Sequence, residues 1–581
     1  MGIKSYAGNV IWTQCIRALA LQSTHYLLPP MHQNCTNCGL QFQITDDDIK
    51  YYTETRVSHP THCPNCRTQR RLANRNERCL YQDKCDMCEK NIVSLYSPDK
   101  DIKTYCYDCY LSDKWDPMSY GRDFDFTRPF FEQFYELKKD IPHMNIYQLF
   151  NENCDYSNYT GYCRNCYMCF GPYKSEDCMY GSPYESKNCV DTYVSYGLEL
   201  CYECINCEKL YGCIECQECV GSSGLFFCYD CRSCSDCIGC VGLRNKKFHI
   251  WNKPYSQEEY ERIKSSLNLG NRTAYDTLKN QFEKFKKQFP RIYAKNPKSE
   301  NVSGNFIVES KNCENCFDAK SSQDCKDCAQ ITYAENCRDC NYEEEITLCY
   351  ENIGYAFNNS IKFNNTSGHS HEVYYTEFCT NCQYCFGCAE LRKKQFCILN
   401  KQYTESQYKE LLPRIIEHMK QAGLPAGQAG EWGEFFPIKY SLFGYNETVA
   451  QDYFPITEKI AQEKGWGWTP ENKKALIPQT CVVADDIKDI PDSVTTETLA
   501  CEITGKNYKI IPQELSFYRK TNLPIPKRCP DQRHLDRLAK CAPRKLWDRT
   551  CAKCGAEIKT PYSPDRQETV YCEKCYLEAI Y

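Results

Sequence analysis

Cysteines recur at intervals of twelve residues through the middle of this 581-residue chain. Of 47 cysteines, 17 lie between residues 151 and 240 and 12 lie between 301 and 400, whereas 241–300 contains none. The twelve-residue step is followed by Cys154, Cys166 and Cys178, and again by Cys313, Cys325, Cys337 and Cys349. A fixed short period indicates a stacked repeat, here in two lobes.

Twelve residues suit one coil of a narrow β-solenoid, with two short strands, two corners and neighbouring coils about 4.8 Å apart. Equivalent cysteines would then form columns. Three interpretations of these thiols remain open: small apolar side chains that fill an interior too tight for Leu, ligands of zinc or of a polynuclear cluster, or disulfides between coils.

Each lobe closes with the same signature, repeated at a constant offset of 148 residues. The repeated cysteines, a possible metal or thiol cluster in each lobe, are Cys231, Cys234, Cys237 and Cys240, and Cys379, Cys382, Cys385 and Cys388. Their spacing differs from that of ferredoxin clusters, in which the fourth Cys follows three intervening residues and precedes Pro. His249 aligns with Cys397 and is a further ligand candidate.

Pairs of Cys-x-x-Cys sequences near both ends of the chain predict metal sites. Two such turns supply the four thiolates of the tetrahedral shell that Zn²⁺ prefers. The predicted ligands are Cys35, Cys38, Cys63 and Cys66; Cys85, Cys88, Cys106 and Cys109; and Cys551, Cys554, Cys572 and Cys575. We therefore expect about three zinc ions, all in closed four-Cys coordination, which is typical of structural rather than catalytic sites.

The C-terminal set belongs to a copy of the N-terminal segment at an offset of 466 residues. Non-ligand residues repeat as well, including Tyr96-Ser97-Pro98-Asp99 at 562–565. In the copy of the first site, Thr504 replaces Cys38 and Gln532 replaces Cys66. Because two thiolates do not complete a zinc shell, we expect this fourth site to hold no metal.

Composition limits the function classes. The net charge is −5 and the pI is about 6.1, which argues against a whole-chain electrostatic grip on nucleic acid. We find no signal peptide and no apolar run of the length needed to cross a bilayer, and the mean hydropathy is −0.66. The expected location is the cytoplasm, where thiols stay reduced. Common nucleotide-binding and hydrolase motifs are missing, so whether the chain is an enzyme is left uncertain, leaning to no.

The segment from Cys35-x-x-Cys38-Gly39 to Cys63-Pro64-x-Cys66-Arg67 resembles a probable treble-clef or zinc-ribbon domain of uncharacterised, Cys-rich bacterial proteins, notably of candidate-phylum lineages. Tyr120–Phe126 and Phe443–Thr448 are similar to the same group. The resemblance implies zinc and a bacterial origin, and it brings no activity that can be transferred.

A basic segment behind Cys66 is a candidate nucleic-acid contact, because a helix on a rigid zinc knuckle can present cations to phosphates. Its members are Arg67, Arg70, Arg71, Arg75 and Arg78. His59 and His62 are candidate supports of the Cys63 site, and His369 and His371 could lie on one side of a strand.

We therefore expect a mainly β, multidomain protein with α caps, in which zinc-ribbon or treble-clef modules flank two β-solenoid-like lobes. The predicted parts are an N-terminal extension (1–30), a double zinc module (31–120), a helical connector (121–150), a first lobe with its cap (151–268), a helical spacer (269–300), a second lobe with its cap (301–425), an aromatic and Pro-rich linker region (426–500) and a duplicated, half-degenerate zinc module (501–581). Helices are expected at 256–264, 273–288 and 404–419. The predicted function is a zinc-stabilised binding or scaffold protein with a nucleic-acid or protein partner. The alternative is a thiol-redox or metal-handling protein that uses the central cysteines, with either multiple zinc ions or iron–sulfur.

Overall fold

A computed structural model describes residues 31–421, 430–470 and 476–580. The predicted extension 1–30 lies outside the described residues. The N-terminal module, residues 31–111, comprises β1 (Met31–Asn34), β2 (Gln41–Ile44), α1 (Asp46–Thr55), α2 (Pro64–Leu72), β3 (Tyr81–Lys84), β4 (Asn91–Ser94), β5 (Thr104–Tyr105) and α3 (Tyr107–Leu111). Helix α4 (Phe130–Asp140) and strand β6 (His143–Met144) follow.

Lobe 1, residues 148–254, contains β7 (Gln148–Leu149), β8 (Thr160–Gly161), β9 (Pro183–Tyr184), β10 (Ser195–Tyr196), β11 (Glu208–Tyr211), β12 (Ile214–Gln217), β13 (Val220–Tyr229), β14 (Ser235–Ile238), β15 (Lys247–Ile250) and β16 (Lys253–Pro254). Helices α5 (Gln257–Ser266) and α6 (Arg272–Lys286) and strand β17 (Arg291–Ile292) come next. The predicted helix at 256–264 is confirmed, and Ser256 and Glu259 form its capping box.

Lobe 2, residues 304–402, contains β18 (Gly304–Val308), β19 (Cys316–Lys320), β20 (Ala329–Glu335), β21 (Arg338–Thr347), β22 (Tyr350–Asn359), β23 (Lys362–Asn365), β24 (His371–Tyr374), β25 (Gln383–Phe386), β26 (Gln395–Ile398) and β27 (Lys401–Gln402). After α7 (Glu405–Gln421) come α8 (Val449–Tyr453) and α9 (Glu458–Glu463). The C-terminal module, residues 499–580, comprises β28 (Leu499–Ala500), β29 (Asn507–Tyr508), α10 (Pro512–Thr521), α11 (Pro530–Lys540), β30 (Trp547–Thr550), β31 (Glu557–Thr560), β32 (Val570–Tyr571) and α12 (Glu573–Ile580).

Both lobes are β-solenoids with a twelve-residue coil, as predicted. Parallel strands pair Ser235 with Lys247 in lobe 1 and Ile331 with Glu343 in lobe 2, each across one period. In lobe 2 the strands β18 to β27 are neighbours in chain order, and the antiparallel strand β27 closes the series. Backbone hydrogen bonds between successive coils therefore hold each lobe together along its axis.

The shape of one coil differs from the predicted two strands and two corners. The backbone turns at nearly every third residue, where φ is positive, as at Asn165 (φ 53°), Met168 (φ 50°), Gly171 (φ 71°) and Lys174 (φ 47°). A coil therefore has four sides of three residues each. The left-handed conformation costs roughly 1–2 kcal/mol of conformational energy per L-residue. Asn and Asp adopt it more readily than other side chains, and Gly adopts it without this cost.

The first residue of each triplet points into the solenoid. Many interior thiols lie close to two backbone carbonyl oxygens, one two residues earlier in the chain and one nine residues later. Cys207 Sγ, for example, lies 3.3 Å from Ile205 O and 3.5 Å from Cys216 O. Serine hydroxyls take the same place elsewhere: Ser195 Oγ lies 3.0 Å from Tyr193 O and accepts from Cys207 N (3.3 Å). Many positions of the interior thus carry small side chains that hydrogen-bond the backbone, and others carry Leu, Ile or Val. The expectation that it is too tight for Leu was wrong, since Leu198, Leu210 and Leu225 are buried among the cysteines.

Besides the two solenoid interiors, the molecule has two large hydrophobic cores. Each of them forms on one outer side of a lobe, where large apolar residues project. On lobe 1, Phe227 packs against Tyr275 and Phe282 of α6. On lobe 2, Tyr375 packs against Phe130 and Phe131 of α4. Helix α4 precedes lobe 1 in the chain, yet it packs on lobe 2. This segment before lobe 1 is therefore exchanged: it covers the second lobe and not the first.

The zinc modules follow the same exchange. Tyr52 of the N-terminal module packs edge-on against Tyr350 of lobe 2, with ring centroids 5.6 Å apart. Tyr518 of the C-terminal module makes the equivalent contact with Tyr202 of lobe 1 at 5.7 Å. Strand β6, just before lobe 1, pairs with β5 of the N-terminal module, and strand β17, just before lobe 2, pairs with β32 of the C-terminal module. The segment before each lobe is thereby joined to a zinc module. The offsets of 466 and 148 residues thus reappear as matching contacts.

Replacing Ser195 tests the interior hydrogen bonds. Ser195→Ala removes the acceptor of Cys207 N, and we expect a loss of about 1–3 kcal/mol in the free energy of unfolding. Ser195→Cys keeps a donor and acceptor, and we expect a loss below about 1 kcal/mol. Urea unfolding followed by circular dichroism measures both. Equal losses for the two variants would show that volume alone matters at this position.

Candidate metal centres

Three groups of four cysteines bring all their sulfur atoms within 4.8 Å of one another. They are the predicted sets Cys35, Cys38, Cys63 and Cys66; Cys85, Cys88, Cys106 and Cys109; and Cys551, Cys554, Cys572 and Cys575. The Sγ–Sγ distances across two of these sets, Cys38–Cys63 and Cys554–Cys572, are 3.8 and 3.7 Å. Four convergent soft ligands in closed coordination fit structural zinc ions.

Each site is built from one hairpin turn and one helix start. Cys35 follows β1, and the turn closes through hydrogen bonds from Gly39 N to Cys35 O (2.8 Å) and from Cys35 N to Leu40 O (2.9 Å). Gly39 has φ 75°, which glycine adopts without steric cost. Cys63 is the N-cap of α2, so the helix N-terminus favours its thiolate. The second and third sites repeat this design at Cys106 and Cys572.

Backbone amides tune these thiols. Burial opposes ionisation of Cys85, but the N–H groups of Cys106, Met87 and Cys88 outweigh it and lower the pKa of Cys85 to about 7. Cys106 N donates to Cys85 Sγ at 3.3 Å. These donors favour the deprotonated form that binds metal.

The predicted supports of the first site are only partly placed there. Asn37 Nδ2 donates to Cys66 Sγ (3.3 Å), a contact that the sequence did not single out. His62 Nδ1 instead lies 3.0 Å from Thr61 Oγ1 and 3.7 Å from Glu434 Oε2. His59 packs against the ring of Tyr52. The imidazoles thus support the knuckle by packing and by contacts to neighbouring polar groups.

The degenerate fourth position keeps its fold. Cys501 follows the β28 strand, Cys529 is the N-cap of α11, and Thr504 Oγ1 lies 3.9 Å from Cys529 Sγ. Gln532 Nε2 turns to Asp536 at 2.9 Å. Two of the four positions lack a thiolate, and the absence of metal here stays a prediction.

The repeated central cysteines are the inward-pointing residues of the four sides of one coil in each lobe, each directly after a corner. All eight are at most 2% exposed. Their thiols are directed to backbone carbonyls, as Cys231 Sγ is to Tyr229 O and Cys240 O, both at 3.6 Å. Within the described part of the chain, the groups of three or more potential ligands whose atoms all converge within 4.8 Å are the three terminal sets alone. Every described cysteine is a free thiol, so disulfides between coils are not formed there.

His249 and Cys397 share one role. His249 Nδ1 lies 2.8 Å from Lys247 O, and Cys397 Sγ lies 3.5 Å from Gln395 O, each two residues earlier in the chain. Their exchange therefore reflects the interior hydrogen bond of the coil. His369 and His371 are not brought together: His369 stacks on Phe357 (4.7 Å), whereas His371 packs edge-on against Tyr384.

The candidate nucleic-acid segment is turned inward, which corrects the interpretation of its arginines. Arg67, Arg70, Arg71 and Arg75 are at most 4% exposed. Arg71 NH1 lies 3.1 Å from Asp339 Oδ1 and 3.0 Å from Glu351 Oε2, both in lobe 2. Arg78 lies over the ring of Phe170 at 4.2 Å. These guanidinium groups dock the module, because buried cations need carboxylate partners.

The C-terminal copy repeats the docking. Arg537 NH1 contacts Asp191 Oδ1 (2.6 Å) and Glu203 Oε1 (3.4 Å) in lobe 1, and Arg533 also pairs with Asp191. Asp191 and Glu203 lie 148 residues before Asp339 and Glu351. Sequence reasoning missed these four acids, although their shared offset with the cysteine repeat was a visible signal.

Comparison with known proteins identifies one part of the chain. Residues 544–579 match the model of a family described as "Probable treble clef zinc finger", and this segment contains the whole third four-Cys group. The curated proteins contain no match to the chain. One solved structure found by comparison, a "putative acetyltransferase from Desulfovibrio desulfuricans G20", is 8% identical with a TM-score of 0.11, and the match covers 49% of this chain and 77% of that one. A similarity this low supports no structural inference. The four-Cys groups and the treble-clef match make this a zinc-binding protein, and its bacterial origin stays a prediction.

Restoring the missing ligands tests the metal assignment. We expect elemental mass spectrometry to find about three zinc ions per wild-type chain and no visible absorption, because Zn²⁺ is d¹⁰. Thr504→Cys combined with Gln532→Cys completes the fourth shell and is expected to add one zinc ion. Cys551→Ser should remove one. A wild-type value of four, or no gain in the double variant, would contradict the assignment.

Removing the docking arginines tests the exchanged packing. Arg71→Ala and Arg537→Ala each remove one cation from a buried ion-pair network, in which Arg67 and Arg70, or Arg533 and Lys540, still contact the acids. Because the remaining cations compensate only part of the buried negative charge, we expect each variant to cost about 3 kcal/mol in the free energy of unfolding. Arg164→Ala is the matched control, since its pair with Glu176 is solvent-exposed and should matter by less than about 1 kcal/mol. Denaturant midpoints report the difference. Wild-type midpoints for both buried variants would refute the docking role.

Proposed function

We propose that this chain is a zinc-stabilised scaffold, a rigid platform that binds a macromolecular partner. The observation that carries the proposal is the exchanged docking of two zinc modules onto two solenoids through Arg71 and Arg537. Their guanidinium groups are fully buried and bridge carboxylates of the facing lobe. Such an arrangement fixes the relative position of two long β surfaces, which is what a scaffold requires.

The metal sites support a structural role in the same way. In all three sets, four cysteines fill the tetrahedral shell of a zinc ion, so no coordination position is left for water or substrate. Exposed aromatic rings on lobe 1 supply a contact surface of the kind enriched in protein interfaces. Phe150 and Tyr162, 69% and 53% exposed, begin a column in which Tyr173, Tyr184 and Tyr196 follow at ring-centroid distances of 5.1–5.7 Å. We therefore propose a protein partner.

The redox or metal-handling alternative requires accessible thiols of low pKa. Burial raises the pKa of Cys178 well above its ordinary value, whereas hydrogen bonds from the Cys379 and Cys385 thiols lower the pKa of Cys382 to about 4, so accessibility and not the pKa separates the two functions. The neighbouring coils enclose both thiols, which are at most 2% exposed. A location in a reducing compartment such as the cytoplasm accords with a large set of free thiols.

Native-state alkylation distinguishes the two functions. Iodoacetamide on the folded, zinc-loaded protein should leave the lobe cysteines unmodified while labelling half-exposed Cys481, as read by peptide mass spectrometry. The same reagent after unfolding in guanidinium chloride with chelator should label all cysteines, which is the control. Rapid native labelling of several lobe cysteines, with retention of the zinc, would replace the scaffold by a thiol-reactive function.

A further inference from the structure

A cavity of about 290 Å³ lies where the two lobes meet the end of α11. Lobe 1 contributes Val194 and Asn206, lobe 2 contributes Asp318, and the segment after α11 contributes Cys541 and Arg544. Asp452 and Tyr453 of the α8 helix complete the wall. The volume is close to the lower end of ordinary small-ligand sites.

The matching place in the other half of the molecule is filled by an arginine. Arg75 lies 466 residues before Cys541, and its backbone N–H bonds to Leu72 O just as Cys541 N bonds to Leu538 O. The guanidinium of Arg75 lies over the rings of Tyr159 (3.6 Å) and Tyr342 (4.7 Å). Its Nε donates to Glu77 Oε1 at 2.7 Å.

In the C-terminal half, these filling groups are replaced by smaller ones. Cys541 takes the place of Arg75, and Pro543 takes the place of Glu77. Val194, which lies 148 residues before Tyr342, takes the place of the Tyr342 ring. All three replacements line the cavity. The cavity therefore arises where the chain has lost its own guanidinium, its aromatic platform and its carboxylate partner.

The wall carries two carboxylates, Asp318 and Asp452, and two guanidinium groups, Arg544 and Arg566. Arg544 pairs with Asp318 and Arg566 pairs with Glu568, so among the described residues Asp452 has no arginine or lysine partner. Asp452 Oδ2 has His534 Nε2 as its neighbour at 3.5 Å, and that imidazole nitrogen, on a side chain 9% exposed, has no hydrogen-bond partner among the described residues. Arg544 does not compete for Asp452, because its Nε donates to Asp318 Oδ2 (3.2 Å) and its guanidinium lies over Tyr453 at 4.7 Å. Phe306 and Phe317 add apolar wall.

We propose that this cavity binds a small organic cation, a guanidinium or primary ammonium compound with a short apolar tail. Asp452 would hold its charge, and Phe306, Phe317 and Tyr453 would pack on its tail. Aromatic faces and a partly buried carboxylate together recognise such cations. This inference goes beyond the scaffold proposal, because that function needs no small ligand.

Isothermal titration calorimetry of the full, zinc-loaded chain with propylguanidinium tests the site. We expect one binding event per chain, at least tenfold weaker binding of the neutral isostere propylurea, and at least a tenfold loss of propylguanidinium affinity in Asp452→Asn. Asp548→Asn, at an exposed carboxylate elsewhere in the C-terminal module, is the matched control and should bind as wild type does.

Cys541→Arg provides a second test, because it restores the side chain found in the other half and should abolish binding. A thermal midpoint at or above that of the wild type would show that this variant folds. Absence of propylguanidinium binding to the wild type, equal binding of propylurea, or tighter binding of propionate through Arg544 would overturn the proposal. Unchanged affinity in a folded Cys541→Arg would place the ligand elsewhere and overturn it as well.

Discussion

The narrow coil is the constraint on which the rest of this structure depends. With a corner at every third residue, many inward-pointing residues, Cys207 and Asn364 among them, have no backbone carbonyl as the acceptor of their N–H. A buried unpaired amide costs about 1–3 kcal/mol, so the interior side chain of the preceding coil has to accept it. Ser195 does this for Cys207, and Asn352 Oδ1 does it for Asn364 N at 3.1 Å. Cysteine serves as a small, weakly polar version of the same device, which explains why the chain carries so many thiols without linking them.

The corners also explain how the modules are held. Asp191, Glu203, Asp339 and Glu351 all occupy left-handed corner positions, with φ between 50° and 57°. At a corner the side chain leaves the coil outward, away from the thiol interior. Buried arginines from the zinc modules meet these acids, and the ion pairs lie in buried interfaces between module and lobe. Breaking one partner is costly in such places, whereas surface pairs on the same lobes contribute little.

Local and periodic features were predictable from the sequence, and features that join distant segments were not. The ligand sets at Cys35 and Cys551 were found because a Cys-x-x-Cys turn and a helix start are local structures. The solenoid was predicted because its twelve-residue period appears directly in the spacing of the cysteines. The inward direction of Arg71 depends on acids about 270 residues away, and no local pattern separates a docking arginine from one that contacts phosphate. The three-residue side was visible in Cys201, Cys204 and Cys207, but a spacing of three also fits metal turns.

Duplication allowed the two halves to diverge in the parts that the fold does not need. The fourth zinc position lost two ligands while the docking pair of Arg537 with Asp191 stayed, so ion pairing and the core around Tyr518 hold this part of the C-terminal module without a complete four-Cys shell. The change from Arg75 to Cys541 follows the same logic, because the hydrogen bond of the backbone at that position is kept while the side chain is shortened. Because Pro543 replaces Glu77 as well, the carboxylate that borders the resulting space is a different one, Asp452, whose ionisable neighbour at 3.5 Å is His534.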